Sequence, residues 1–200
     1  DAPLGHPHEV ACAAPLRGKK GAHYEGGMRV PFIAAWTKAN ARNPCQKRLP
    51  IPAGAIQGQL AAVYDLFPTI LALTDITPPP DHVLDGSRLD TLLTGRRDSS
   101  RKETFLMHYP HSPHRTDYFT CYREGPWKVI YHYFPSEVSG NSHYQLFHLS
   151  EDPFEQQDLS ASRPQELRRM MQGLIAALEK QKAVYPVDKD GTTPLKPKLP

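Results

Sequence analysis

The sequence predicts an α/β chain, α+β within its own 200 residues, in which a strand and several helices of a larger α/β domain precede a small antiparallel sheet with one C-terminal helix. Three observations lead to this prediction. The apolar run at 29–36 is typical of a strand buried on both faces. A helical repeat of apolar residues follows at 59–73. After the polar stretch at 95–102, short segments rich in aromatic and β-branched residues take over.

The first part of the chain is expected to contain few regular elements. Its share of the 21 prolines and 13 glycines predicts short elements joined by many turns. Residues 1–27 show no sustained periodicity and indicate a loop that other parts must hold. Pro68 lies inside the helical repeat, so we expect it to end or kink the helix unless it stands in the first turn of a second one. A further short helix is predicted at 89–93.

The second part is predicted to hold four strands and one helix. The strands are expected at 103–109, 118–123, 127–134 and 144–149. The helix should begin at Pro164, with Ser162 or Arg163 as its cap, because the apolar residues between 167 and 178 share one face. The proline-rich tail should be extended or disordered.

These elements predict three regions. Residues 1–97 form the C-terminal end of an α/β domain, 98–184 an antiparallel subdomain and 185–200 the tail. The strand at 29–36 has no partner in the first region, and buried backbone groups without hydrogen bonds are costly. We therefore expect its partners in a preceding part of a longer protein, in keeping with the absence of an initial methionine.

Composition argues against several classes of protein. The 24 basic and 21 acidic residues give a net charge of +3, which is too balanced for a protein that binds nucleic acid through a basic face. No apolar run approaches the roughly 20 residues that cross a bilayer, so no membrane partner is expected. The cysteines, Cys12, Cys45 and Cys121, form no zinc-binding pattern and no dense disulfide framework.

Residues 16–31 read Leu-Arg-Gly-Lys-Lys-Gly-Ala-His-Tyr-Glu-Gly-Gly-Met-Arg-Val-Pro. This block closely resembles the segment that follows the calcium-binding residues in type I, arylsulfatase-like sulfatases of the alkaline-phosphatase superfamily. Three later blocks, at 63–73, 85–95 and 144–159, resemble further sulfatase segments in the same order. The resemblance implies the end of an alkaline-phosphatase-like α/β domain followed by that family's C-terminal subdomain.

The resemblance also implies a reaction, the hydrolysis of sulfate monoesters by a formylglycine nucleophile beside a calcium ion. Formylglycine is made from the cysteine of a Cys-x-Pro-x-Arg motif, and at Cys12 the proline and arginine are each displaced by one position. We therefore expect the nucleophile and the calcium ligands upstream, no catalytic residue and no metal in this chain, and no activity of the chain alone. The implied partners are a sulfated small molecule or carbohydrate and the missing N-terminal portion. The implied location is periplasmic or secreted.

Lys20 matches the family lysine that binds a sulfate oxygen, and Lys19 is the alternative if the loop register differs. A lysine suits this task because it offers a compact charge with three donors. Next to it, two glycines permit a sharp turn into the following run, and an acidic and a basic residue are spaced to pair across that turn. The residues expected to support the lysine are Glu25, Gly26, Gly27 and Arg29.

The histidines include a dense group at His108, His111 and His114. They are interpreted as ordinary polar loop residues, as the rim of a substrate cleft beside the active site, or as metal ligands, whose geometry the two prolines of the loop do not guarantee. His23 is also expected to reach the rim. The candidate substrate-binding residues are therefore Lys20, His23, His108 and His111.

Two other functions remain open from the sequence. A phosphate or phosphonate monoester hydrolase of the same superfamily would share these segments, and its upstream nucleophile would distinguish it. A non-catalytic binding or structural module is the third hypothesis, against which the unpartnered strand at 29–36 argues.

Overall fold

A computed structural model describes residues 13–111 and 117–200. The elements, in chain order, are α1 (Glu25–Met28), α2 (Pro44–Arg48), a 3-10 turn (Val63–Asp65), α3 (Leu66–Leu73), α4 (Asp90–Leu93), β1 (Thr104–Tyr109), β2 (Phe119–Glu124), β3 (Trp127–His132), a second 3-10 turn (Glu137–Ser139), β4 (Tyr144–His148) and α5 (Pro164–Lys180). Among the described residues, no helix is both long and apolar enough to cross a bilayer.

The described residues form two compact units. One consists of the residues up to Val30 together with Thr104–Pro200, and the other of Pro31–Glu103. The sequence placed the boundary at 97, and the structure differs because residues 13–30 contribute Tyr24 to the core of the sheet unit.

A four-stranded antiparallel sheet in the order β1-β2-β3-β4 forms the centre of the first unit. Each strand pairs with the next along the chain, and Cys121 lies opposite Ile130 in the β2–β3 ladder. Gly125 makes the turn between these strands with a φ of +56°, a conformation that favours glycine. The four predicted strands and the closing helix are confirmed, with strand ends shifted by at most two residues.

The sheet carries apolar side chains on both faces, because successive residues of a strand point to opposite sides. One face, with Val129 and Leu146, packs against α5. The buried residues of α5 are Leu167, Met170, Met171, Leu174 and Leu178. The opposite face, with Ile130 and Phe147, packs against Tyr24. The sheet therefore lies between α5 and the segment that contains Tyr24.

The C-terminal tail is extended and packed on the first unit. Val187 forms a bridge with Pro194. The Tyr144 hydroxyl donates a 3.2 Å hydrogen bond to the carbonyl of Lys198. Of the two predicted alternatives, the extended tail is the one that the structure shows.

The second unit is organised around the buried carboxylate of Asp65. This carboxylate accepts a hydrogen bond of 2.8 Å from the backbone N–H of Ser87 and pairs with the guanidinium of Arg101. Pro68 lies in the first turn of α3, where a missing N–H removes no intrahelical hydrogen bond. The expected exception therefore applies, and α3 continues through Pro68 to Leu73.

The strand predicted at 29–36 is not present in the described part of the chain. These residues have no regular structure, and the side chains of Phe32 and Ile33 are 54% and 90% exposed. The physical reason is that a strand needs a neighbour to bind its N–H and C=O groups. No described residue forms a ladder with this run.

The contact between α5 and the sheet should dominate the stability of the first unit. Leu174 is fully buried, and replacing a buried leucine by alanine removes about 2–5 kcal/mol of stability. We expect Leu174→Ala to lower the free energy of unfolding in urea by about this amount. The matched change Leu199→Ala, at an exposed position, should lower it by less than about 0.5 kcal/mol. Equal effects of the two changes would contradict this packing.

Candidate functional site

Residues 16–28, here called the lysine segment, form a tight backbone turn. The N–H of Gly26 donates to the carbonyl of Arg17 at 2.7 Å, which brings α1 back onto the start of the segment. Gly21 has a φ of +90°, in the region where other residues are strained. This turn presents Lys20 with an exposed side chain, whereas the side chain of Lys19 is half-buried.

Gly26 and Gly27 are required because the backbone approaches them closely. A Cβ on Gly26 would lie 2.6 Å from the carbonyl oxygen of Arg17, and one on Gly27 would lie 2.3 Å from that of Ala22. Neither glycine has a positive φ. The two positions that were predicted to support the lysine therefore require glycine because a side chain has no space there, and not because the backbone conformation is unusual.

A buried lysine of β3 joins the lysine segment to the sheet. The Nζ atom of Lys128 lies 3.0 Å from Oε1 of Glu25 and 2.7 Å from Oε1 of Glu155. The backbone N–H of Glu25 also donates to Oε2 of Glu155 at 2.5 Å. These three residues are called the ion cluster. Because Glu25 is the first residue of α1, the ion cluster fixes the start of α1 to the sheet.

The ion cluster holds two carboxylates and one ammonium group away from water. The guanidinium of Arg123 lies 3.8 Å from Glu25 and adds positive charge. Burial raises the pKa of Glu155, although Lys128 opposes this shift. Burial alone would lower the pKa of Lys128, but Cys121 and the two neighbouring carboxylates together outweigh it, so this pKa lies above its ordinary value. Removing one partner of such a group leaves a buried charge uncompensated.

Arg29 contributes less than its spacing from Glu25 suggests. Its Nε atom lies 4.0 Å from Oε2 of Glu25, and its side chain is 60% exposed. Exposed ion pairs contribute only about 0–1 kcal/mol. The predicted pair is formed, but the stronger partner of Glu25 is Lys128, 103 residues away, which the sequence analysis missed.

Tyr24 makes two further contacts that hold the lysine segment in place. The guanidinium carbon of Arg17 lies 3.8 Å from the centre of its ring, a cation–π distance. Its hydroxyl donates to Oε1 of Gln145 on β4 at 3.0 Å. The segment is therefore attached to both β3 and β4.

His23 belongs to the lysine segment, and its side chain is buried against the sheet. Its ring centre is 4.9 Å from that of His132 and 5.1 Å from that of Phe119. Burial, with a further contribution from His132, lowers the pKa of His23 to about 3. The imidazole is therefore neutral near pH 7, and its position favours packing over the exposed rim that the sequence predicted.

His108 and His111 lie on different sides of the sheet. His108 makes 2.7 Å contacts to the hydroxyl of Thr120 and to the carbonyl of Val184, on the face that packs against α5. The structure therefore does not bring it together with the lysine segment, which covers the opposite face. The exposed ring of His111 lies 5.3 Å from that of Tyr109 on the lysine-segment side. His114 lies outside the described residues.

Of the described cysteines, Cys121 offers no activated nucleophile. Cys45 and Cys121 are both free thiols. Cys121 is fully buried, and burial raises its pKa to about 12, so the thiol stays protonated and unreactive. Cys12 lies outside the described residues.

A group of side chains that could hold a metal ion is formed by His23, Asp117 and His132, whose donor atoms lie within 4.8 Å of one another. We call it the His–Asp–His cluster. Its two nitrogen donors and single carboxylate do not fit calcium, which takes about six to eight oxygen ligands. The sequence analysis missed this cluster because its members are far apart along the chain.

Comparison with known proteins gives consistent matches. A family model described as N-sulphoglucosamine sulphohydrolase, C-terminal, matches residues 19–183. Human N-acetylgalactosamine-6-sulfatase is 30% identical over 178 residues, which are 78% of this chain and 31% of that protein. Mouse steryl-sulfatase is 27% identical over 192 residues, 84% of this chain and 28% of that protein. The chain thus spans about a third of the length of these relatives.

A solved structure from Bacteroides thetaiotaomicron shares the fold. That structure is described in connection with the metabolism of multiple glycosaminoglycans by this organism. The match has a TM-score of 0.58 and 26% identity, and it covers 81% of this chain and 32% of that one.

Removing the charge of Lys128 should destabilise the first unit strongly. We expect Lys128→Met to lower the free energy of unfolding by about 3–5 kcal/mol at pH 7, because two buried carboxylates lose their ammonium partner. The exposed change Lys189→Met should have little effect.

The pKa of Glu155 is already raised in the folded state, so the folded variant binds protons more readily than the unfolded chain as the pH falls. The deficit of Lys128→Met should therefore shrink below neutral pH. Urea denaturation of both proteins at several pH values measures it. A deficit that is small at pH 7, or that grows as the pH falls, would contradict the ion cluster.

Substitution of Gly27 tests the close approach of the lysine segment. We expect Gly27→Ala to lower the free energy of unfolding by about 1–3 kcal/mol, since the added methyl group overlaps the carbonyl of Ala22. Gly58→Ala is the matched control, because nothing lies within 4 Å of its added Cβ. Equal unfolding midpoints for both variants would show that the backbone at Gly27 has room.

Proposed function

The chain belongs to the family of N-sulphoglucosamine sulphohydrolase C-terminal domains, and from this premise we propose that it is the C-terminal part of a sulfatase that hydrolyses sulfate monoesters. The observation that carries the proposal is the way in which the lysine segment is attached to the sheet. A short turn with an exposed Lys20 is fixed to a sheet by a buried ion cluster.

Lys20 would bind a sulfate oxygen of the substrate. A sulfate ester carries its charge on fixed oxygens, and donors that are placed in advance stabilise such charge without reorganisation. The lysine segment meets this requirement because hydrogen bonds fix its backbone. The N–H of Gly26 donates to Arg17 within the segment, and the N–H of Glu25 donates to Glu155. Lys20 is preferred over Lys19 because its side chain is the more exposed.

We further propose a sulfated carbohydrate as the substrate. The names of the human N-acetylgalactosamine-6-sulfatase and of the bacterial structure connected with glycosaminoglycans support this class. His111 is the histidine that we assign to the substrate side, since it is exposed on the side of the sheet that the lysine segment covers. His108 is not assigned to the substrate side, because its ring nitrogens contact Thr120 and Val184 on the other face.

The nucleophile and the calcium ligands are proposed to lie in another part of a longer protein. No step assigned to Lys20 depends on the calcium ion. The exposed apolar side chains of Phe32 and Ile33 support a strand at 29–36 that pairs within that larger protein. A periplasmic or secreted location stays a prediction from the family resemblance.

The role of Lys20 is tested in the longer protein with a sulfated sugar as substrate. We expect Lys20→Ala to lower kcat/KM by about 10²–10³, the usual effect of removing one donor that stabilises transition-state charge. Lys19→Ala should lower it less than tenfold. Release of sulfate measures both rates. An unchanged kcat/KM in Lys20→Ala would overturn the assignment, and a larger loss in Lys19→Ala would transfer the role to Lys19.

A further inference from the structure

We propose that the His–Asp–His cluster of His23, Asp117 and His132 binds a divalent transition-metal ion of the zinc class, which joins the lysine segment to β3. The proposal stands on the geometry of the cluster and does not depend on the proposed sulfatase activity. It differs in its ligands from the calcium site that the family resemblance implies.

The distances between the donor atoms suit one small ion. Nδ1 of His132 lies 2.8 Å from Oδ2 of Asp117, and Nδ1 of His23 lies 3.6 Å from Oδ1. Ligands that are each about 2.0–2.1 Å from a tetrahedral zinc ion are separated by roughly 3.3 Å. The two observed distances, each to a different oxygen of Asp117, lie on either side of this value, and one donor atom from each of the three side chains lies within 4.8 Å of the others.

The hydrogen bond of His132 on its other side fixes its tautomer. Nε2 lies 3.0 Å from Oε1 of Gln145, and an amide oxygen only accepts, so Nε2 carries a proton. Nδ1 of the same ring lies 2.8 Å from Oδ2 of Asp117. Positive charge at this contact is favourable, and a metal ion bound by Asp117, His132 and His23 would supply it.

Gln145 also completes the surroundings that such a ligand needs. A histidine that binds a metal usually donates its other ring N–H to a polar neighbour, which holds the ring in place. Gln145 has this position, and its oxygen is in turn held by the hydroxyl of Tyr24 at 3.0 Å.

The setting favours a transition metal over a hard cation. Two imidazole nitrogens and one carboxylate are a ligand set of catalytic zinc sites, and three ligands leave a fourth position for water. The side chains of His23 and His132 are buried, whereas that of Asp117 is 16% exposed, which gives the ion an entry route.

A metal ion here would attach the lysine segment to the sheet a second time. His23 belongs to the lysine segment, and His132 is the last residue of β3. Asp117 lies two residues before Phe119, where β2 begins. The attachment lies on the same face as the ion cluster but uses none of its side chains. Loss of the ion should therefore loosen the segment without removing the ion cluster.

Titration calorimetry of the purified chain with Zn²⁺, after treatment with a chelator, tests the proposal. We expect one saturable ion per chain, and we expect Asp117→Asn and His23→Gln each to weaken binding by at least about tenfold. His82→Gln is the matched control, since His82 is exposed in the other unit, and it should leave the affinity unchanged. The absence of saturable binding, or equal affinity in all four proteins, would overturn the proposal.

A second measurement on the unmodified chain covers the case in which a variant does not fold. With ¹⁵N-labelled histidine, Zn²⁺ should shift the ring nitrogen resonances of His23 and His132 and leave those of His82 in place. Binding that leaves the first two rings unchanged places the ion elsewhere and overturns the proposal.

Discussion

The buried ammonium group of Lys128 is the constraint on which the sheet unit depends. It places one positive charge where two carboxylates of distant segments meet, Glu25 at the start of α1 and Glu155 after β4. A buried charge is tolerated only when its partners are in place, so removing any one of the three groups strongly destabilises the folded unit. The position of the lysine segment is therefore set by tertiary contacts and not by its own secondary structure.

The two faces of the sheet are covered in physically different ways. On one face α5 supplies a continuous apolar contact, and apolar contacts of this kind are not directional. On the other face the lysine segment has only the four residues of α1 as regular structure, and it is held by directional polar groups. Lys128, Gln145 and Asp117 each contact a different residue of the segment, so directional polar contacts set the position of the face that carries Lys20.

The sequence predicts what local periodicity determines and misses what distant contacts determine. The four strands and α5 are recovered because alternation and helical spacing are local signals. The run at 29–36 has the same apolar signal, yet a strand also needs a partner that the described residues do not supply. Lys128 gives no sign of its role, since a lysine in a strand is ordinarily exposed and Glu25 is 103 residues away. The resemblance points to Lys20 and its supporting glycines, but only the structure shows why those glycines are needed.

Hydrogen exchange of the backbone amides in the lysine segment tests the central claim most directly. The amides of Glu25 and Gly26 donate to Glu155 and to Arg17, so they should exchange slowly in the unmodified chain. In Lys128→Met they should exchange many times faster, while the amides of α5 keep a larger share of their protection. Unchanged protection of Glu25 and Gly26 in the variant would contradict the account, because the segment would then be held without the ion cluster.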